Sequence, residues 1–360
     1  MSRVERLRST LSPSWVAGGL ILLLALLGPL IFNEFWVSFI LTGTFLFGVA
    51  VASLIFLSAY GGMVSLAQVA LFGIAGFTLG NVVTAGETKG LNLGWDPWLG
   101  VVLAIAVATG VGLILGAVAS RATGIYFLML TLVFSVIANK FFGQVTLLSG
   151  FGGIGSIQNH TPGLIGRPSA HPDRLYYVAL LVAVCAYLLI RYVLRTPFGM
   201  TLQGVRDDPV RMGALGYNVP LHRTLAFTFA AFIASLGGVL FVWWNSQISP
   251  STIGFNGYLL DLLVMAVIGG LYRIEGAWVG AFVFILLDNY IRDIGFIHSL
   301  GLSEERFHTV IGVVFLAIVL LSPGGLLGLG DRVWREVLRL RGRRRLAQQA
   351  AVEKPRPGVP

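Results

Sequence analysis

Ten apolar stretches divide the chain, at about 15–32, 35–58, 63–85, 97–119, 124–142, 175–194, 224–244, 258–272, 276–292 and 307–321. Most approach the roughly 20 residues that a helix needs to cross a bilayer. They are continuous runs rather than alternating ones, which excludes a closed β-barrel, whose strands alternate. The pattern predicts an all-α polytopic membrane protein of about ten transmembrane segments. The third, eighth and ninth stretches are short or glycine-rich and read as broken or re-entrant helices.

One polar stretch interrupts this pattern. Residues 195–223 read RTPFGMTLQGVRDDPVRMGALGYNVPLHR. Leu202, Val205, Met212 and Leu215 recur at helical intervals and can share one face, with Gln203, Arg206, Asp207 and Arg211 on others. Asp208 followed by Pro209 is a helix restart, because Asp caps well and Pro fits the first helical position. Gly216 is a stop signal, with Pro220 a few residues beyond. The spacing predicts two short helices, 200–206 and 209–215, meeting at an elbow at Asp207–Asp208. Reconnecting two spans takes only a handful of residues, so an ordered amphipathic segment of this length predicts a docking surface for a soluble partner. A helix pair lying on the lipid surface is the simpler alternative. Anionic headgroups repel carboxylates, so the paired aspartates favour a protein partner.

Composition sharpens the picture. The chain is 56% hydrophobic and 11% charged, with mean hydropathy +0.83, against about 25% charged residues in soluble domains. Cys185 is the sole cysteine, which excludes a disulfide within the chain. The five histidines are scattered without ligand spacing, so no metal is expected. No catalytic constellation stands on a soluble domain, and no enzyme or cofactor is expected. The net charge of +9 does not call for nucleic acid, since the cations flank spans or lie in the C-terminal tail, where orientation and membrane lipid account for them. The basic start, MSRVERLRSTLSPSW, leads into an apolar run without a small-x-small cleavage site and reads as preceding an uncleaved first span.

With the N-terminus inside and strict alternation, 19 of the 25 Lys and Arg fall on the cytoplasmic side, including Arg121, Arg191, Arg195, Arg206, Arg211, Arg223 and Arg273. The positive-inside rule thus predicts ten crossings with both termini cytoplasmic, in a plasma membrane. The domain plan is a cytoplasmic tail at 1–14, a transmembrane domain at 15–330 with its cytoplasmic loop at 196–223, and a basic tail at 331–360. Residues 86–97 and 143–174 are outside loops, and the glycines at 150, 152, 153 and 155 free the backbone to turn or to approach a ligand closely.

Gly61, Gly62, Ser65, Gln68, Phe72 and Gly73 open the third stretch and are candidates for a translocation path. Glycines let a helix begin inside the membrane with free N–H groups that could meet a carboxylate, although close helix packing is the simpler explanation of them. A buried Gln68 amide needs partners. Asp261 and Asp288 are intramembrane carboxylates, which suggests proton coupling. Both fall near the ends of their spans, and Arg292 lies four residues after Asp288, which fits an ordinary helical ion pair.

Four blocks together resemble a known family. They are Tyr60-Gly61-Gly62-Met63-Val64-Ser65-Leu66-Ala67-Gln68 with Phe72-Gly73-Ile74; Gly124-Ile125-Tyr126-Phe127 with Thr131-Leu132 and Phe134; Thr196-Pro197-Phe198-Gly199 through Arg206-Asp207-Asp208 to Ala214-Leu215-Gly216, then Leu225-Ala226-Phe227; and Val267-Ile268-Gly269-Gly270-Leu271 with Glu275-Gly276, Gly280-Ala281 and Ser322-Pro323-Gly324-Gly325-Leu326. In this order they resemble the M-type permease subunit of branched-chain (hydrophobic) amino acid ABC importers, over roughly residues 35–330. The resemblance implies that 196–223 is the coupling loop, with Gly199, Arg206, Asp207, Asp208, Arg211, Ala214, Leu215 and Gly216 in it. It also implies a second permease subunit, two cytoplasmic ATPase subunits and an extracytoplasmic solute-binding protein. Two features depart from the pattern. Val136 stands where many members carry an acidic residue, and Ser149-Gly150-Phe151-Gly152-Gly153 is similar to the urea-importing branch, which leaves urea or a short amide open as the solute. The residues alone also leave room for an ion-coupled secondary transporter or a non-transporting membrane scaffold.

Overall fold

The computed structural model describes residues 23–86, 90–163, 165–168 and 170–293, with residues 312, 316 and 325–328 further on. Among the described residues every regular element is helical, apart from one isolated bridge between Ile154 and Ile248. After a single turn at Gly28–Ile31 and a wide turn at Trp36–Leu41, the elements are α1 (Thr42–Gly61), α2 (Gln68–Val83), α3 (Pro97–Ala119), α4 (Ile125–Gln144), α5 (Pro172–Arg195), α6 (Pro197–Asp207), α7 (Pro209–Ala214), α8 (Val219–Asn245), α9 (Leu260–Gly269) and α10 (Gly276–Asp293).

Among the described residues, six helical stretches are long and apolar enough to cross a membrane: Trp36–Gly61, Pro97–Ala119, Ile125–Gln144, Pro172–Arg195, Val219–Asn245 and Pro250–Gly269. Gln68–Val83 and Gly276–Asn289 are shorter apolar helices. The chain is therefore a multi-pass helical membrane protein. Of the ten expected segments, the first part of the first, residues 15–22, and nearly all of the tenth lie outside the described residues, as do both tails, Lys89 and the Arg292 side chain. The third begins later than expected, at Gln68 rather than 63. Gly62 takes φ +64° and ends α1 in the left-handed region, and the chain stays non-helical until Ala67.

Burial sorts the helices. α1 and α8 are buried along most of their length and form the centre, whereas α3, α4 and α5 show mainly exposed apolar side chains. A helix apolar on all sides belongs in such a centre or in lipid. Lipid tails are as apolar as leucine, so packing rather than hydrophobicity must hold the outer helices. α3 meets this with small residues: Gly100, Ala104, Ala108, Gly112 and Gly116 are among its buried positions, about one per turn. A side chain at Gly112 would strike Ala231, and one at Gly116 would press on Phe227. α9 and α10 approach closer still. A Cβ at Gly269 would meet the Gly276 carbonyl, and one at Gly280 the Met265 carbonyl.

The loops after α4 and after α8 are joined by backbone pairing. Ile154 and Ile248 exchange N–H···O bonds of 2.8 and 2.9 Å. Gly153, at φ +73°, lies against the Ile248–Ser249 backbone, where any side chain would collide. That glycine serves close packing within the chain, whereas Gly155 faces open space.

Candidate functional site

The polar segment folds as two helices with an elbow, as its punctuation requires. Thr196 caps α6 by accepting from the Gly199 N–H, and Pro197 takes the first turn. Asp208 (φ −150°, ψ 90°) leaves the helical region, and its carboxylate accepts from the Arg211 N–H at 2.9 Å, capping α7. Gly216, at φ +90°, closes α7, and Asn218 caps α8 by accepting from the Leu221 N–H at 3.1 Å. Gly199 sits where a Cβ would run into the Val193 and Leu194 backbone, so the turn from α5 into α6 is as tight as the chain permits. Phe198 stacks on His222 with ring centroids 5.9 Å apart, tying α6 to the start of α8.

The expected shared apolar face holds only in part. Leu202 and Val205 are buried and Met212 is half-buried against Gly204, but Leu215 is 66% exposed. Leu215 is the C-cap residue, one position past the last helical residue of α7, so the helical spacing from Met212 no longer fixes its direction. With Val210, 81% exposed, Leu215 forms an apolar outer surface on α7 flanked by Asp207, Asp208 and Arg211.

Arg206, expected on the polar face, bridges two elements. Its guanidinium donates to the Ala59 carbonyl in the last turn of α1 and pairs with Asp207 at 2.7 Å. A cation at a helix C-terminus meets carbonyls that lack intrahelical partners and the negative end of the dipole. The Arg206 stem covers Gly62, whose Cβ would lie 2.6 Å from Arg206 Cγ. The structure thus joins a residue of the polar loop to Gly61–Gly62, at the start of the candidate path.

From there the chain crosses the non-helical stretch 62–67 into α2. Non-helical backbone at membrane depth is tolerated only where the protein satisfies it. Here α4 does so: Thr131 Oγ1 accepts from the Leu66 N–H at 3.2 Å, and Ser135 Oγ donates to the Leu66 carbonyl at 2.8 Å. Ser65 Oγ accepts from the Ala67 N–H at 3.2 Å. The amides on Leu66 and Ala67 are therefore already bonded and not open to a solute.

Beyond the break, the Gln68 side chain is 1% exposed; its carbonyl accepts from Ser53 at 3.3 Å, and its Nε2 has no hydrogen-bond partner among the described residues. Phe72 packs among Phe47 and Phe241, with ring centroids 6.4 and 5.2 Å away. Gly73 admits the Ile253 side chain where its own Cβ would stand. Ile253 ends the short 3-10 turn Pro250–Ile253, which precedes a second irregular stretch containing the non-helical Gly257. Of the six candidate path residues, Gly73 is the one brought against the second irregular stretch, through Ile253, while Gly62 meets Arg206 and Gln68 meets Ser53.

Several contacts carry no signal in the sequence. Tyr187 donates to Glu275 at 3.1 Å, Arg191 pairs with Glu275 at 3.7 Å, and Ser58 donates to the Leu271 carbonyl at 3.3 Å. They gather the ends of α1, α5 and the α9–α10 turn on the side where α6 and α7 lie. Asp261 falls in the first turn of α9, where the helix dipole favours a carboxylate. Val136 is exposed, one residue from the bonded Ser135.

Residues 36–319 match the family described as branched-chain amino acid transport system / permease component. A probable branched-chain amino acid transport permease protein LivM of Methanocaldococcus jannaschii is 24% identical over 78% of this chain and 84% of its own length. The high-affinity branched-chain amino acid transport system permease proteins LivM of Salmonella typhimurium and Escherichia coli are 25% and 24% identical over 64% of this chain. The chain spans 57% of the length of each of those two. A probable LivH of M. jannaschii is 23% identical over 46% of this chain. No solved structure matches.

Proposed function

Because this chain belongs to the branched-chain amino acid transport permease family, we propose that it is the M-type permease subunit of an ATP-driven importer that moves branched-chain or hydrophobic amino acids inward. It is a transport subunit and not an enzyme; the ATP is hydrolysed on two separate cytoplasmic ATPase subunits. Its other partners are a second permease of the LivH kind and an extracytoplasmic solute-binding protein. In this reading ten segments cross the plasma membrane, six long and two short ones among the described residues and one at each end, with both termini in the cytoplasm.

The observation that carries the proposal is the Arg206 contact with Ala59 and Gly62. It gives the 196–223 loop a direct hold on the segment that leads into the path. Gly199, Arg206, Asp207, Asp208, Arg211, Ala214, Leu215 and Gly216 form the coupling element, with the exposed α7 surface meeting the ATPase. Gly61, Gly62, Ser65, Gln68, Phe72 and Gly73 line the gate. A hydrophobic amino acid suits apolar walls without a deep fixed charge. The resemblance to the urea branch rests on Ser149–Gly153, and the close approach of Gly153 to Ile248 supplies a packing reason for glycine there.

The test is competition. Labelled leucine is taken up by the complete importer in liposomes, with excess unlabelled valine or urea. Valine is expected to compete and urea not. Competition by urea alone reassigns the solute while leaving an importer in place.

A further inference from the structure

Three polar side chains stand four residues apart on α4: Thr131, Ser135 and Asn139. That spacing puts them on one helix face. The neighbouring Val133, Val136 and Ile137 are exposed and apolar. Thr131 and Ser135 bond the N–H and C=O of Leu66, in the first chain break. Asn139 Nδ2 donates to the Pro250 carbonyl at 2.6 Å, at the second break. Gly254 keeps the approach open there, since a Cβ on it would lie 3.1 Å from the same Nδ2. One face of one helix therefore satisfies irregular backbone at both breaks, and α2, which follows the first, packs on the second where Ile253 enters the space left by Gly73.

We propose that α4 is a strut that makes the two breaks shift together during transport, with Thr131, Ser135 and Asn139 as its positioning residues. This rests on the importer reading above. Backbone groups freed from a helix inside the bilayer are costly without partners. Neither break can move far unless α4 moves with it. α4 has room to do so. An apolar crevice of about 520 Å³ lies among α2, α3 and α4, lined by Ile74 and Thr78, by Val107 and Val111, and by Phe134 and Ile137 respectively. The outward face of α4 presents exposed apolar surface. α4 is held at its ends by Phe127 against Phe227 and by Phe142 stacked on Phe77 at 4.0 Å, and along the face between them by the three polar contacts to the breaks.

The experiment uses the complete importer in liposomes, with Cys185 replaced by serine and one reporter cysteine at a time, V64C in the first break or S251C in the second. Thiol-labelling rates are compared between resting and vanadate-trapped complexes. With the strut intact both rates change on trapping. With Asn139→Ala the change at position 251 is lost while that at 64 persists, and with Thr131→Val plus Ser135→Ala the pattern reverses. Both variants lower the maximal uptake rate at least tenfold at unchanged KM, while ATP hydrolysis continues. Ser135→Thr and Asn139→Gln, which keep the donors, restore uptake to within a few-fold. Concerted labelling changes in both variants, no change at either reporter with the strut intact, or loss of assembly that Ser135→Thr and Asn139→Gln share, would each overturn the strut. A wild-type complex that imports no amino acid but labels in concert overturns the solute assignment alone.

Discussion

Arg206 holds two partners with one guanidinium, and Gly62 makes room for it. Removing the side chain in Arg206→Ala frees the last turn of α1 from α6. It is expected to lower solute-stimulated ATP hydrolysis and uptake by about tenfold, and Arg206→Lys to restore little, because a point charge cannot serve Ala59 and Asp207 in the same fork. Undiminished stimulation in Arg206→Ala would remove this residue from the coupling path. Gly62→Ala forces a side chain into the left-handed region and against the Arg206 stem, at a cost of about 1–2 kcal/mol, which a lower midpoint of thermal unfolding in detergent would register. At this scale the sequence is only partly legible. The caps at Thr196, Asp208 and Asn218 follow from residue type, whereas the reach of Arg206 back to Ala59, 147 positions earlier, has no local signal.

The α6–α7 pair is the element most fully legible in advance. Its punctuation is local: Pro197 and Pro209 start helices, Asp208 caps and Gly216 stops. The expectation fails at Leu215 because α7 ends at Ala214 and helical periodicity does not extend to the cap residue beyond it. Charge reversal at Asp207 and Asp208 together leaves α6 buried through Leu202 and Val205, so insertion is expected to persist while uptake and coupled hydrolysis fall by at least tenfold. Normal solute-stimulated hydrolysis in that double variant would show that the surface is not a contact for the ATPase. The α4 polar ladder is open to sequence reading, since Thr131, Ser135 and Asn139 interrupt an apolar run at a helical interval. What they bond to is not, because both targets are backbone.

For the whole molecule, counting apolar runs locates the spans but not their ends. The third stretch shows why: Met63 and Leu66 are as apolar as helix residues, yet a glycine in the left-handed region takes the chain out of the helix before them. Sidedness rests on charge and is testable in a background lacking Cys185. Cysteine labelling from outside is expected to succeed at Lys89→Cys and fail at Arg343→Cys, and the reverse pattern would invert the topology. The contacts are consistent with strict alternation, because Arg206–Ala59 and Arg191–Glu275 join ends assigned to one side and Ile154–Ile248 joins ends assigned to the other. That last bridge has a consequence of its own. Two hydrogen bonds worth about 1 kcal/mol each make a weak latch. A pair exchanging both bonds has its Cα atoms about 5.5 Å apart, within reach of a disulfide. Ile154→Cys with Ile248→Cys, oxidised, would clamp covalently the mouth that charge assigns to the outside. Uptake is expected to stop and to return with dithiothreitol, whereas uninterrupted uptake in the oxidised protein would mean the mouth never parts there. The importer would then have an outer door that opens only to a reductant.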